Sequence, residues 1–288
     1  MDYLYYPGCS LEGAGRQYDE SLRAVFRALG IGLQELEDWN CCGATIYMSV
    51  DETTSLAISA RNLALASQDG GRDLVAPCSA CYTVLLKTNR YLRESPELRE
   101  KVDALLAKAG LRYGLDVRVR HPLDVLVNDV GIERIASAAT RRLDGLRVAP
   151  YYGCQIVRPE RGFDHFEFPQ TMDRLFQALG AEPVYFPVKT RCCGGMLMTT
   201  FREVGLELVR ELLSCAAENG AACILTTCPM CHVNLEAYQD QVNKTFGTSY
   251  RIPVVFFTQL LGLALGCDEK SLGMGRNLIP FKLGAGVA

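Results

Sequence analysis

Residues 75–85 read VAPCSACYTVL, and residues 225–235 read LTTCPMCHVNL. Each opens as a short apolar run, passes through Cys-x-x-Cys and continues in a helical pattern, so each reads as strand, cysteine loop, helix. Outward from the first stretch lie NCCGAT at 40–45 and YYPGCSL at 5–11; outward from the second lie RCCGGM at 191–196 and YYGCQIV at 151–157. The gaps between cysteine groups are 31, 35 and 2 residues in the first copy and 37, 34 and 2 in the second. Ten of the 13 cysteines therefore fall in the same order in two halves, and the chain is one unit written twice.

The segments between the cysteines agree as well. SLRAVFRALG (21–30) stands opposite TMDRLFQALG (171–180), with apolar residues at helical spacing: Leu22, Val25, Phe26 and Leu29, then Met172, Leu175, Phe176 and Leu179. Gly30 and Gly180 mark the helix ends, and Ser21 and Thr171 are expected near the starts. DYLYY, DLVAP, RVAPYY and ACILTT read as strands. Alternating strands and helices predict an α/β protein of two pseudo-repeated domains, 1–145 and 146–288. Each is expected to be a small, mostly parallel sheet flanked by helices, with the cysteine loops at the carboxyl ends of its strands, where such sheets bind ligands.

Composition narrows the function. A net charge of −3 over 288 residues offers no basic footprint for nucleic acid. IPVVFF and LLGLALG fall short of a membrane span. The opening MDYLYYPGC does not resemble a secretory leader, so a cytoplasmic location is expected. Thiols persist as thiols in a reducing compartment, and so many of them point to metal or redox chemistry rather than to a secreted disulfide scaffold.

Cys41–Cys42 and Cys192–Cys193 are adjacent pairs. Adjacent cysteines bridge each other only with strain and chelate one compact zinc poorly, but their sulfurs can diverge onto neighbouring irons. Four thiolates complete a zinc site or an ordinary cubane cluster, whereas each half supplies five. Structural zinc leaves one cysteine per half unexplained, and a thioredoxin-like dithiol at CSAC or CPMC ignores the remaining cysteines. Cys215, Cys223 and Cys267 stand outside the repeat and read as buried free thiols.

Two copies of Cys, Cys-Cys-Gly and Cys-x-x-Cys resemble the cysteine-rich CCG domains, and nearly the whole chain resembles the B subunit of heterodisulfide reductase. The resemblance implies two non-cubane 4Fe–4S clusters. One would be ligated by Cys9, Cys41, Cys42, Cys78 and Cys81, the other by Cys154, Cys192, Cys193, Cys228 and Cys231. It also implies two partners from the same complex, the ferredoxin-like C subunit, which delivers electrons, and the flavoprotein A subunit, which supplies them. The implied substrate is a small-molecule disulfide, cleaved reductively. In methanogens that disulfide joins coenzyme M and coenzyme B; some relatives run oxidatively in sulfur metabolism. Splitting a disulfide takes two electrons and yields two thiolates, which suits two clusters facing each other.

Other candidates lie where the halves differ. The second copy carries Arg158, Arg161 and His165 in its longer loop, with Lys189 and Arg191 just before Cys192, a cationic rim suited to an anionic disulfide. The rival reading is solvated surface charge. His232, directly after Cys231, is a candidate proton donor to a leaving thiolate or simply a helix residue; His121 is expected to pack at a strand end. The chain has no ferredoxin-type cysteine run and no G-x-G-x-x-G, so no flavin or nicotinamide site is expected in it and electrons must come from another protein. The alternatives are an electron conduit for a fumarate, lactate or glycolate oxidoreductase, which commonly carries a fused ferredoxin motif, and a colourless zinc-stapled scaffold.

Overall fold

In the computed structural model, which describes residues 1–44, 50–157 and 162–283, the chain forms two four-stranded sheets. The first contains β1 (Asp2–Tyr5), β2 (Gly32–Glu35), β3 (Leu74–Val75) and β4 (Val119–Arg120) in the order β2-β1-β3-β4. The second contains β5 (Arg147–Tyr151), β6 (Glu182–Pro183), β7 (Cys223–Thr226) and β8 (Val254–Phe256) in the order β6-β5-β7-β8. All pairs are parallel; Leu4 lies opposite Gln34 and Leu74, as Val148 lies opposite Pro183 and Cys223. The expected α/β architecture, repeated twice, is what the chain adopts.

Parallel strands need helical crossovers, and the apolar faces predicted from sequence supply them. Helix Arg16–Ala28 buries Leu22, Val25 and Phe26 against the first sheet's core, and Thr171–Ala178 buries Met172, Leu175 and Phe176. Gly30 and Gly180 follow their helices in the left-handed region, at φ 70° and 99°. Thr171 opens its helix as expected, where Asp164 accepts the orphan amide hydrogens of Gln170 and Thr171. Ser21 does not. Its helix begins five residues earlier at Arg16, and the buried Ser21 hydroxyl instead meets Thr258 Oγ1 at 2.6 Å, from the opposite half.

That contact belongs to an interlocked seam. Tyr18 stacks on Phe256, with ring centroids 4.3 Å apart and planes 7° apart. The reciprocal pair is Phe163 on His121, at 6.2 Å and 14°. Tyr18 and Phe163 each lie nine residues after the first cysteine of their half, so each half lends one ring to the strand end of the other.

The end of β4 is fixed by Arg120, almost fully buried. Its guanidinium binds Asp73 at 3.1 Å and Asp129 at 3.0 Å, and also Asp124, while Tyr3 donates to Asp129 at 2.6 Å. Arg120→Ala leaves these carboxylates without their cation. The expected loss is about 3–5 kcal/mol of stability, read from urea denaturation; a loss under about 1 kcal/mol would show that the network is solvated rather than structural.

Candidate metal centre

Every cysteine of the repeat sits beyond the carboxyl end of a strand. Gly8 follows β1 at φ 72° and hands the chain to Cys9, which opens a single helical turn, Cys9–Glu12. A Cβ on Gly8 would stand 3.0 Å from Cys81 Sγ. Gly153, at φ 70°, repeats the arrangement before Cys154, where a Cβ would stand 3.3 Å from Cys231 Sγ. Only glycine meets both requirements, the left-handed backbone and the close approach to sulfur. Sequence reasoning passed over these two positions, although both halves announce them as a Gly-Cys dipeptide.

The adjacent pairs follow β2 and β6. Tyr6 donates to the Asn40 carbonyl and Tyr151 to the Arg191 carbonyl, each at 2.7 Å, tying the residue before each pair to the strand of the first cysteine. Gly43 and Gly194 also have positive φ, but their close neighbours are Ser55 and Gly205 of the following helices. They seat the loop on its helix; the close approach to sulfur is made at Gly8 and Gly153.

Cys78 and Cys228 are N-caps of helices Ser79–Glu94 and Pro229–Ala237, with Cys81 and Cys231 in the first turns. The two helix starts meet at the seam: Ser79 Oγ lies 3.2 Å from both the carbonyl and the hydroxyl of Thr227, which brings the adjoining Cys78 and Cys228 together. From that junction the sulfurs run outward in both directions. Cys42 and Cys81 are 3.2 Å apart and Cys9 and Cys41 3.8 Å; Cys193 and Cys231 are 3.4 Å apart. Cys9, Cys41 and Cys192 are exposed, Cys154 is half-buried, and the inner three of each set are buried.

The electrostatics repeat with the geometry. Thiol donation from Cys42 and Cys9 holds Cys41 down at about 2, and donation from Cys154 and Cys193 does the same for Cys192. Cys42 and Cys193 are pushed up to about 12, first by the neighbouring Cys41 and Cys192. The donors are soft sulfurs, the ligands of iron–sulfur clusters and of zinc. Among the described residues no three His, Cys, Asp or Glu side chains converge as they would around a single ion. A string of five thiols per half fits a group wider than one metal ion.

The other candidates fall outside this string. His232 is buried and stacked on Phe256 at 4.4 Å; its Nε2 lies 3.3 Å from Asn277 Nδ2 and its Nδ1 3.7 Å from Glu236 Oε2. Nε2 therefore has its partner away from the thiols, and Nδ1 faces Glu236. Lys189 Nζ is bound to Asp173 at 2.7 Å and Arg191 to Glu211, so a carboxylate of the chain neutralises each. His165 Nδ1 accepts from the amides of Glu167 and Phe168, and Arg158 and Arg161 lie outside the described residues. His121 packs at the end of β4, with Nε2 3.0 Å from the Pro77 carbonyl. Cys223 is fully buried in β7, whereas Cys215, in the last turns of helix Arg202–Glu218, and Cys267, in the loop after helix Phe257–Ala264, are half-buried.

Burial raises Glu236 to about 7. In the unfolded chain it titrates near 4.3, so its protonation stabilises the fold below about pH 4.3 and that contribution is lost as pH rises through 7. Glu236→Gln is expected to flatten this dependence, leaving the variant more stable than the parent at pH 8 by up to about 3 kcal/mol. Urea denaturation at pH 5 and pH 8 tests it; equal differences at both pH values would contradict it.

Comparison with known proteins agrees with this organisation. Residues 3–86 and 148–236 each match the cysteine-rich domain family, CCG. The chain is 34% identical over 280 residues, 96% of its length and 97% of the relative, to the 8-methylmenaquinol:fumarate reductase membrane anchor subunit of Wolinella succinogenes. It is 34% identical over 279 residues to the B subunit of a ferredoxin/F(420)H(2)-dependent CoB-CoM heterodisulfide reductase of Methanosarcina acetivorans (95% and 92% covered). A protein of Archaeoglobus profundus, named as like the heterodisulfide reductase B subunit, is 35% identical over 283 residues (95% and 94% covered). A crystal structure of a hypothetical protein from Helicobacter pylori shares the fold, with a TM-score of 0.80 at 17% identity over 98% of this chain, which spans 52% of that one. The doubled cysteine set, the doubled sheet and these relatives together show that the chain belongs to the CCG family, among relatives of the heterodisulfide reductase B subunit.

Proposed function

We propose that this protein is the disulfide-cleaving subunit of a heterodisulfide reductase-like complex, with two non-cubane 4Fe–4S clusters held by its ten repeat cysteines. At the coarser level, its relatives support a redox subunit of an oxidoreductase complex. The observation that carries the finer reading is the contact of Ser79 with Thr227 at 3.2 Å, which brings the neighbouring Cys78 and Cys228, and with them two five-thiol sets, together at one seam. Cys9, Cys41, Cys42, Cys78 and Cys81 would hold one cluster, and Cys154, Cys192, Cys193, Cys228 and Cys231 the other. Bound there, the clusters would supply one-electron transfer and iron sites with affinity for thiolate.

The protein's own residues do the rest. Gly8 and Gly153 bring backbone up to Cys81 and Cys231, Tyr6 and Tyr151 tie down the adjacent pairs, and the backbone amides of the two helix starts favour thiolate at the caps Cys78 and Cys228 against the crowding of neighbouring sulfurs. Reducing one disulfide consumes two electrons and two protons and releases two thiols. The proposed electron source is a ferredoxin-like C subunit, itself fed by the flavoprotein A subunit. Cytoplasmic residence belongs to the same reading, because the thiols must stay reduced. The division into 1–145 and 146–288 is proposed as the boundary between the two cluster domains.

A second reading has its own support. The Wolinella relative, equal in identity to the methanogen one, is named as part of a quinol:fumarate reductase. The criterion of a fused ferredoxin motif does not set such a protein apart, since this chain aligns with 97% of its length. In that reading the chain passes electrons between a quinol and a catalytic partner. The relative is named a membrane anchor, yet among the described residues here no helix is long and apolar enough to cross a membrane.

Titrating the anaerobically loaded protein with a disulfide while recording its EPR spectrum separates the two. A new signal that depends on the disulfide supports cleavage at this protein. An unchanged spectrum, with cluster reduction only through a quinol-linked partner, supports the conduit.

A further inference from the structure

Tyr18 is fully buried on helix Arg16–Ala28, at the seam between the halves. Its ring stacks on Phe256, and its helix is pinned across the seam by the hydrogen bond between Ser21 and Thr258. Among the described residues its hydroxyl has no hydrogen-bond partner. A buried donor left unpaired costs stability, and such groups are rare enough in folded proteins that each needs an explanation. Burial is what chiefly bears on this hydroxyl, and Cys228 and Cys78, at the junction, are the titratable groups near it.

The repeat supplies the control. Phe163, in the loop after Cys154, makes the reciprocal contact across the seam and stacks on His121 without any hydroxyl. A phenyl ring is therefore enough for the packing role, and the oxygen on Tyr18 has another purpose. The start of its helix abuts the junction, since a Cβ on Gly15 would stand 3.0 Å from Pro229 Cβ, the residue after Cys228, so thiol sulfur is an acceptor close at hand.

We infer that Tyr18 is a positioning residue for the metal centre, donating a hydrogen bond to sulfur at the Cys78–Cys228 junction once the clusters are bound. This rests on the reading that the ten cysteines hold iron–sulfur clusters. A hydrogen bond to cluster sulfur stabilises the more negative, reduced state and so raises the reduction potential. The bond would also make the two halves unequal, because Phe163 has nothing to donate.

The test is an EPR-monitored redox titration of the full-length, iron-loaded protein beside Tyr18→Phe. The expected result is unchanged iron and sulfide content, a potential shifted to more negative values, and loss of one exchangeable proton coupling in electron–nuclear double resonance. An unchanged potential at equal iron content would overturn the inference while leaving the cluster reading intact. Parent protein that binds no iron and sulfide would overturn both, and overturn the cluster reading first. Should Tyr18→Phe fail to load, Tyr18→3-fluorotyrosine keeps the hydroxyl and makes it a stronger donor. A shift to more positive potential then supports the inference, and no shift overturns it.

Discussion

Cys42→Ser is expected to cut bound iron from about eight to about four atoms per chain and to lower disulfide-reducing turnover at least about 100-fold. Cys42 is the hinge of its set. It is buried, its sulfur lies 3.2 Å from Cys81, and its neighbour Cys41 faces Cys9 at 3.8 Å. Serine keeps the shape but offers a hard, poorly ionised oxygen in place of thiolate. The second set is built from other strands of the other sheet, so it should keep its iron. Cys193→Ser is expected to give the mirror result. Loss of all iron from either variant would mean that the ten thiols act as one undivided site. A Cys223→Ser control, in the core of β7 and outside the string, should retain full iron.

Gly8→Ala is expected to have nearly as large an effect although it removes no ligand. Alanine at φ 72° is strained by about 1 kcal/mol. That strain alone would be tolerated, as Gly30→Ala should show: Gly30 has φ 70°, with nothing within 4 Å of the added Cβ. At Gly8 the added Cβ stands 3.0 Å from Cys81 Sγ, so either the sulfur or the strand end must shift. The expected outcome is loss of about half the iron with the far-ultraviolet circular dichroism unchanged. Full iron in Gly8→Ala, or equal loss in Gly30→Ala, would show that the approach of backbone to sulfur is not what the glycine provides.

Much of this was legible in the sequence because a repeat multiplies weak signals. One Cys-x-x-Cys is ambiguous, but two copies in register with two adjacent pairs fix which cysteines belong together. Leu22, Val25 and Phe26 marked a buried helix face, and DYLYY and ACILTT marked the longer strands. What escaped was short or tertiary. β4 and β6 are two residues long, too short for any alternation to register, and β2 is an edge strand with no buried residue, so GLQE carries no apolar signal. Serine favours helix starts, which makes Ser21 resemble a cap, but its hydroxyl is used across the seam. The meeting of Cys78 with Cys228, and of Tyr18 with Phe256, joins residues roughly half a chain or more apart, where spacing carries no information. Lys189 and Arg191 read as a cationic rim because nothing local reveals that Asp173 and Glu211 fold back onto them.

The most direct test of two five-thiol sets is a count of iron and acid-labile sulfide, with zinc measured alongside, on protein purified without oxygen. About eight irons with about eight sulfides per chain is the expected result. One or two zincs per chain with no labile sulfide would contradict it.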